Sequence, residues 1–193
     1  VIPSTACVLQ ERLGAKHAAA FDLSAACSGF VYGSMVASQF IENGIYRKVL
    51  VIGAETLSKV VDWTDRNTCI LFGDGAGAAV YGVVDDGYGV QSFDLGSDGS
   101  GAEALDIPSS GSLHPVSPET LAAKMNYIHM DGKAVFRFAV KVMGKTVETS
   151  LAKAGMDKSS IDWLVPHQAN IRIIEAAAKR LRMSMDKVSV NSA

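Results

Sequence analysis

Apolar residues recur at three- and four-residue spacing in four segments, which is the pattern of a helix with one buried face. The predicted helices span residues 4–13, 30–42, 130–152 and 170–181. Gly14, Gly44 and Gly155 follow the first three of them, and glycine commonly ends a helix because it accepts left-handed backbone. The pattern therefore indicates several helices of ordinary length.

Between the helices lie apolar runs with the length of buried strands. The predicted strands span residues 18–23, 48–54, 68–72, 76–84, 161–166 and 187–190. Their alternation with helices predicts an α/β fold, with a parallel or mixed sheet between helical layers. The glycine-rich segment 73–77 predicts a tight turn that approaches other backbone closely. Residues 96–125 have little apolar periodicity and predict a connecting loop or lid.

Composition and charge narrow the class of protein. The chain has 193 residues, of which 48% are hydrophobic, and a formal net charge of −2. This balance gives no bulk attraction to nucleic acid or anionic lipid, and no apolar run reaches the roughly 18 residues of a membrane span. Three cysteines, an odd number without metal-ligand spacing, argue against a disulfide framework and a zinc site. We therefore expect a cytoplasmic protein without a metal or cofactor, which binds neither nucleic acid nor membrane.

Cys27 lies at the junction between a predicted strand and the helix that begins near Phe30. A cysteine attacks as the thiolate, and the free N–H groups at a helix N-terminus favour that anion. The small neighbours Ala25, Ala26 and Gly29 leave room for a substrate carbonyl, and the N–H of Cys27 could donate to the oxyanion formed on attack. Spacing alone leaves two interpretations open: an acyl-accepting nucleophile, or a small buried apolar side chain.

His167 follows an apolar run and Pro166, at a predicted strand end of the kind where ligands gather in open α/β sheets. Its imidazole could donate a hydrogen bond to a substrate or accept one from it. A histidine in this place is also common as a polar strand terminus, so both interpretations stay open. His17, His114 and His129 have no partner motif and are interpreted as structural.

Three segments carry a resemblance to a known family: residues 22–30 (DLSAACSGF), 72–78 (FGDGAGA) and 166–170 (PHQAN). In this order and at these separations they resemble the signature segments of the β-ketoacyl-acyl-carrier-protein synthase III family. The resemblance implies a thiolase-like α/β fold, with layered helices and mixed sheets from two related halves, of which the chain holds a part. It implies three regions: 1–95, the C-terminal part of the first half with the nucleophile; 96–125, the connecting loop; and 126–193, the start of the second half with the catalytic histidine.

The activity that the resemblance implies is a decarboxylating condensation that initiates fatty-acid synthesis. Cys27 would take the acyl group of a short acyl-CoA, such as acetyl-CoA, and malonyl-acyl carrier protein would then lose carbon dioxide and attack the acyl-cysteine. His167 would stabilise the enolate together with an asparagine that the family places about thirty residues later. That position falls beyond Ala193, and the chain does not begin with methionine, so we expect it to be incomplete at both ends and to lack the asparagine.

The resemblance also implies binding residues. Those for the acyl-CoA are Arg66, Met130, Gly132, Lys133, Phe136, Ala169, Arg172 and Ile173. Those of the acyl pocket are Phe72, Ile128 and Ile2, and those that dock acyl carrier protein are Gln168, Ala169, Asn170, Ile171 and Arg172. Arg66 matches an arginine that packs beside the adenine of CoA, and Lys133 stands where the family most often has asparagine. Lys179, Arg180 and Arg182 extend the positive charge near Arg172. A homodimer is also implied, with Ile2 and the helix near Cys7 as its contacts.

Two other functions are compatible with these residues. A related type III condensing enzyme of secondary metabolism would share Cys27 and His167 and would accept different acyl groups. A non-catalytic acyl-binding or CoA-binding fragment would keep the binding residues without the chemistry. The preferred acyl group does not follow from the sequence, because one methylene in an apolar pocket changes the binding free energy by only about 1 to 3 kcal/mol. The source organism and the regulation do not follow from it either.

Overall fold

The computed structural model describes residues 2–191 of the chain. Its helices are α1 (Thr5–Arg12), α2 (Gly29–Glu42), α3 (Pro118–Ala122), α4 (Gly132–Lys153) and α5 (Ile171–Leu181). Its strands are β1 (Lys48–Thr56), β2 (Asp74–Gly82), β3 (Leu105–Asp106) and β4 (His129–Met130). The four helices expected from apolar spacing are present within one or two residues of their predicted bounds. Of the helices in this part of the chain, none is both long and apolar enough to cross a membrane.

The strands form two small sheets. β1 pairs with β2, and β3 pairs antiparallel with β4, with Leu105 opposite Met130 and Asp106 opposite His129. A single parallel bridge joins Leu164 to Val188. The runs 48–54 and 76–84 are therefore correct strand predictions, whereas the larger mixed sheet is not present among residues 2–191.

Four of the predicted strands are not strands, and one of them, 187–190, begins at the end of a 3₁₀ turn and pairs only at Val188. Residues 18–23 form no ladder and 161–166 pair only at Leu164, because an apolar run supplies side chains for burial but not the hydrogen-bonding partner that a ladder requires. Residues 68–72 form turns instead, since the N–H of Thr68 and that of Cys69 both donate to the carbonyl of Asp65. The local turn chemistry of Asp65 outweighs the β propensity of the residues that follow it.

The glycine-rich segment 73–77 is not a tight turn, because its last four residues form the first half of β2. A Cβ atom added at Gly75 or Gly77 would meet no heavy atom of the described chain within 4 Å, so the expected close backbone approach is also wrong. Asp74 has a structural task here: its carboxylate accepts from the backbone N–H of Ser58 at 2.8 Å and from the Ser58 hydroxyl at 2.6 Å. These bonds attach the start of β2 to the 3₁₀ turn after β1.

The chain divides into two compact units, with the division passing through β1 and β2. The first contains the chain up to Gly53 together with Ala78–Val84. Within it, α2 packs on β1 where Gly33 lies against Val51: a Cβ at Gly33 would lie 2.9 Å from a Val51 methyl group. The hydroxyl of Ser34 lies 2.5 Å from that of Tyr81 in β2, which fixes α2 to the second strand as well.

The second unit contains Ala54–Gly77 and the chain from Asp85 onward, and its centre is the contact between α4 and α5. The buried positions of α5 follow helical spacing: Ile173, Ile174, Ala177, Ala178 and Leu181. Ile174 and Ala178 pack with Val188 and Leu164 in one apolar cluster. Gly144 is buried in the middle of α4, and a Cβ there would lie 2.1 Å from Cδ of Arg180, so the glycine leaves the space that the arginine side chain occupies as it crosses the helix.

Glu148 holds that arrangement by accepting two charged donors. Arg180 Nη2 lies 3.1 Å from Glu148 Oε2, and Lys158 Nζ lies 2.7 Å from Glu148 Oε1. The hydrogen bonds from Lys158 and then Arg180 lower the pKa of Glu148 from its ordinary 4.5 to about 2. The ion triad therefore joins α4, α5 and the turn that contains Lys158.

The Glu148 triad predicts an acid-dependent stability. A carboxyl whose pKa is lower in the folded than in the unfolded chain stabilises the fold above its unfolded value, near 4.5, and this contribution disappears as the pH falls toward about 2. We expect Glu148→Gln to remove this part of the pH dependence, so that its Tm falls less between pH 5 and pH 3 than the Tm of the unaltered chain. Thermal unfolding at each pH measures the effect.

The matched control is Glu175→Gln, which removes an exposed carboxylate from the neighbouring helix without touching the triad. Equal pH slopes for the two variants would contradict a stabilising role for the triad.

Candidate functional site

Cys27 lies in a short 3₁₀ turn, Ala26–Ser28, which leads directly into α2. Its side chain is exposed. Ala26, the residue before it, has a φ of 46°, in the left-handed region, where a residue with a Cβ costs roughly 1 to 2 kcal/mol. Strained backbone of this kind is concentrated at functional sites, because the surrounding structure must hold it in place. The cysteine is therefore presented to solvent by a constrained turn at the start of a helix.

The extended segment before Cys27 is fixed to α1. The carboxylate of Asp22 accepts from the backbone N–H of Thr5 at 2.9 Å and from that of Ala6 at 2.8 Å. These bonds, from Ala6 first and then Thr5, lower the pKa of Asp22. The thiol of Cys7 lies 3.3 Å from the carbonyl of Ala20. Asp22, the first residue of the DLSAACSGF segment, thus supports the cysteine turn from its N-terminal side.

His167 is exposed and lies in a segment that is held on both sides. Before it, the Leu164 N–H donates to Lys187 and the Ser189 N–H donates back to Leu164, at 2.9 and 2.8 Å. After it, the Gln168 side chain donates to the carbonyls of Pro166 and Ser189 and accepts from the N–H of Asn191, each at 2.9 Å. The histidine is therefore presented by a rigid backbone, while its ring forms no hydrogen bond within residues 2–191.

A cleft of about 380 Å³ lies between the N-terminal ends of α4 and α5. Its lining residues are Gly132, Lys133, Phe136, Arg137, Asn170 and Arg172. The structure thus brings together five residues that the sequence analysis assigned to CoA or carrier-protein binding, although 34 to 40 positions separate the two groups in sequence. Phe136 gives the cleft an apolar wall, and three cationic side chains give it a positive charge.

The N-terminus of α5 adds to that positive charge, because its backbone N–H groups carry the positive end of the helix dipole, whereas a carboxylate caps the N-terminus of α4 and offsets part of it. The carboxylate of Asp131 caps α4 by accepting from the N–H of Lys133 and that of Ala134, both at 3.0 Å. The bond from Ala134, then that from Lys133 and the charge of Arg137, lower the pKa of Asp131. Asn170 caps α5 by accepting from the N–H of Arg172 at 2.9 Å. The arrangement suits a ligand with an anionic group and an apolar stem.

Arg137 is a cleft residue that the sequence analysis did not select. It lies four positions after Lys133, so the two cations share one face of α4. That spacing was the available signal. It was missed because a charged helix face is ordinarily a solvated one, and only the packing of α5 against α4 shows that this face lines a cleft.

Other predicted site residues lie outside the cleft. Arg66 is exposed in the loop that follows β1, and Ile128 is buried, with its N–H donating to the Val60 carbonyl at 2.8 Å. Phe72 and Met130 are half-buried. The remaining ones differ in exposure: Ile2, Ala169 and Ile171 are exposed, Gln168 is half-buried and Ile173 is buried. Cys27 belongs to the first compact unit and His167 to the second.

Some of the polar residues selected from the sequence also make contacts within the fold. Gln168 and Asn170 use their side chains within the fold, as a cross-link and a helix cap, so these groups are already engaged. Arg180, counted with the positive patch near Arg172, is paired with Glu148. Among residues 2–191, no group of three or more histidine, cysteine or acidic side chains is placed to hold a metal ion.

Comparison with known proteins gives a consistent result. Residues 21–99 match the sequence model of 3-oxoacyl-[acyl-carrier-protein (ACP)] synthase III, and residues 151–193 match the model of its C-terminal part. The beta-ketoacyl-[acyl-carrier-protein] synthase III of Desulfitobacterium hafniense is 58% identical over 191 residues, which are 99% of this chain and 58% of that protein. The enzyme of the same name from Clostridioides difficile is 55% identical over 190 residues, 98% of this chain and 58% of that one.

Solved structures show the same relationship. The synthase III of Thermus thermophilus superposes with a TM-score of 0.88 at 44% identity, over 99% of this chain and 58% of its own. The synthase III of Pseudomonas aeruginosa superposes with a TM-score of 0.87 at 41% identity, over 100% of this chain and 57% of its own. The chain therefore has part of the thiolase-like α/β fold and spans a little over half the length of these relatives. In sequence, fold and signature segments alike, it belongs to the 3-oxoacyl-[acyl-carrier-protein] synthase III family.

Proposed function

We propose that this chain carries the acyl-accepting chemistry of a β-ketoacyl-acyl-carrier-protein synthase III, with Cys27 as the nucleophile. The observation that carries the proposal is the exposed thiol at a strained turn that opens a helix, within the segment DLSAACSGF. The Cys27 sulfur forms a bond to the acyl carbon of a short acyl-CoA, and CoA leaves as a thiol after taking up a proton. Exchange of one thioester for another needs little driving force, so the acyl-cysteine is a suitable intermediate.

The second step that we propose is the condensation. Malonyl-acyl carrier protein loses carbon dioxide, the resulting enolate carbon attacks the carbonyl of the acyl-cysteine, and the Cys27 thiolate leaves. His167 donates a hydrogen bond to the enolate oxygen, a role that its exposed ring and its firmly held backbone support. The product is a β-ketoacyl chain on the carrier protein, the first elongation product of fatty-acid synthesis.

We assign the cleft between α4 and α5 to the pantetheine arm that CoA and acyl carrier protein share. Gly132 and Phe136 provide its wall with Met130 beside them, while Lys133, Arg137 and Arg172 attract the phosphate. The exposed residues Ala169 and Ile171 border this end of α5 and are proposed contacts of the acidic carrier protein. Arg66, on a separate loop, is proposed to pack beside the adenine of CoA, a use that suits a planar guanidinium.

Further parts of the proposal concern the whole protein. Ile2 is 98% exposed, and we propose that it lies at the interface of a homodimer, where it would reach into the partner's acyl pocket beside Phe72 and Ile128. Three free cysteines support a reducing cytoplasmic setting. We retain the organisation of residues 1–95, 96–125 and 126–193 as parts of two related halves.

A condensing enzyme of secondary metabolism is the second candidate. The priming β-ketosynthase of the R1128 polyketide pathway is 35% identical and superposes with a TM-score of 0.84. That identity is lower than the 58% shared with the Desulfitobacterium hafniense synthase, so we favour the fatty-acid reaction. Acyl-group preference distinguishes the two candidates, because the first chemical step is the same in both.

The proposal predicts that acetyl-CoA transfers one acetyl group to Cys27. Intact mass spectrometry before and after incubation should show a single acetyl addition, and peptide mapping should place it on the peptide that contains Cys27. Cys27→Ser should abolish the addition, because a hydroxyl is a much weaker nucleophile than a thiol. Cys7→Ser and Cys69→Ser are the matched controls and should be acetylated as the unaltered chain is; acetylation that depended on either would overturn the assignment.

The cationic cleft makes a separate prediction. Arg137→Ala and Arg172→Ala should each raise the Kd for CoA by roughly ten-fold, because each removes one charge-assisted contact to phosphate. Calorimetric titration measures the effect, and it should weaken as salt is added. Lys179→Ala, which removes a cation from the same helix outside the cleft, should leave the Kd nearly unchanged. An equal loss of CoA affinity in all three variants would mean that binding depends only on the overall charge of the chain and not on the cleft.

A further inference from the structure

The loop that carries Arg66 is built by two carboxylates. Asp62 accepts from the N–H of Thr64 at 2.9 Å and from its hydroxyl at 2.6 Å. Asp65 accepts from the N–H of Asn67 at 3.0 Å and from the hydroxyl of the buried Thr68 at 2.9 Å. Side-chain to backbone bonds of this kind define the turns locally. Arg66 therefore extends from a loop whose internal shape is set by its neighbours.

One side chain joins this loop to the rest of the unit. Lys124 Nζ lies 2.5 Å from Oδ2 of Asp62 and 3.0 Å from the hydroxyl of Thr64. The hydrogen bond from Lys124 is the main reason that the pKa of Asp62 falls to about 2, and the same contact raises the pKa of Lys124. The pair is therefore fully charged at neutral pH.

The backbone at Lys124 indicates that the side chain matters here. Lys124 has a φ of 56°, in the left-handed region that favours glycine and asparagine. Its carbonyl accepts from the N–H of Tyr127 and lies 3.2 Å from Nε2 of His129. A glycine would adopt this turn with less strain, whereas only a long cationic side chain reaches Asp62.

The same turn continues to Ile128, whose N–H donates to the carbonyl of Val60 at 2.8 Å. Ile128 is 6% exposed and Val60 is half-buried, so this second connection is largely shielded from solvent. Residues 60–68 are thus attached at their base by this backbone bond and further along by the Lys124 ion pair. The first connection holds the base of the loop, and the second attaches Asp62 and Thr64, shortly before Arg66, to the turn at Lys124.

We propose that Lys124 is a positioning residue, which through Asp62 holds the Arg66 loop in the orientation that receives the nucleotide end of CoA. The inference rests on the function proposed above for Arg66 and deepens it. Lys124 does not itself contact the ligand in this account, because its ammonium group is engaged by Asp62 and Thr64. It determines how strongly CoA is preferred over ligands that have the pantetheine arm but no nucleotide.

Asp62→Asn separates positioning from direct attraction. The amide keeps the oxygen that accepts from Thr64 and replaces the oxygen that accepts from Lys124, so only the connection is cut. It also frees a positive charge beside the loop. A Lys124 that attracted the phosphates directly would then bind CoA as well as before or more tightly, whereas a positioning Lys124 would lose its effect.

The experiment is calorimetric titration of the unaltered chain and of Asp62→Asn, Lys124→Gly and Asp94→Asn with CoA and with pantetheine. The first two variants should raise the Kd for CoA by roughly five-fold and leave the Kd for pantetheine unchanged. Lys124→Gly also suits the left-handed backbone, so a loss of CoA binding without a fall in Tm excludes misfolding. Asp94→Asn cuts an equivalent ion pair, with Lys153, elsewhere in the unit and should bind both ligands normally.

Other outcomes overturn the inference in distinguishable ways. Unchanged or tighter CoA binding by Asp62→Asn would exclude positioning by this pair while leaving the proposed function intact. An equal loss of affinity for CoA and for pantetheine would mean that the Lys124–Asp62 pair stabilises the unit as a whole rather than the Arg66 loop. Binding of neither ligand by the unaltered chain would remove the proposed CoA site and the inference with it.

Discussion

The close contact of α4 with α5 is the constraint on which the second unit depends. Gly144 leaves room for the stem of Arg180 to cross α4, and Glu148 then holds the guanidinium. Because the two helices run side by side from this contact, their N-terminal ends form one cleft with the cations of both. A residue with a larger side chain at Gly144 would displace the end of the Arg180 side chain and weaken its ion pair with Glu148.

In the first unit, the main structural feature is the turn that leaves the thiol of Cys27 exposed. Asp22 ties the extended segment to α1, Ser34 and Gly33 fix α2 to its sheet, and the strained Ala26 lies between these anchors. The contacts of Asp22 and Ser34 are hydrogen bonds, and that of Gly33 is a close packing contact of a residue without a side chain. The side chain of Cys27 stays exposed between them. The elements on both sides of the turn are thus held by contacts of their own, which do not involve the cysteine.

The sequence predicted the helices well and the strands poorly, for a physical reason. A helix satisfies its own hydrogen bonds, so apolar spacing was enough to locate α2, α4 and α5. A strand depends on a neighbour, and runs such as 18–23 and 68–72 have none among residues 2–191. Signature segments identified the family and the candidate nucleophile, whereas Arg137 and the Lys124–Asp62 pair depend on residues distant in sequence. The spacing of Arg137 from Lys133 places both on one helix face but does not show that this face lines a cleft, and no local pattern indicates the Lys124–Asp62 pair.

The central claim is that Cys27 accepts an acyl group from CoA, and the release of free CoA thiol in a single turnover tests it most directly. With excess acetyl-CoA, the account predicts a rapid release of one equivalent of CoA per chain, absent in Cys27→Ser. The same release by Cys27→Ser would show that the thioester is cleaved elsewhere. A slow, steady release without an initial equivalent would show that no acyl-enzyme accumulates, and either result would contradict the account.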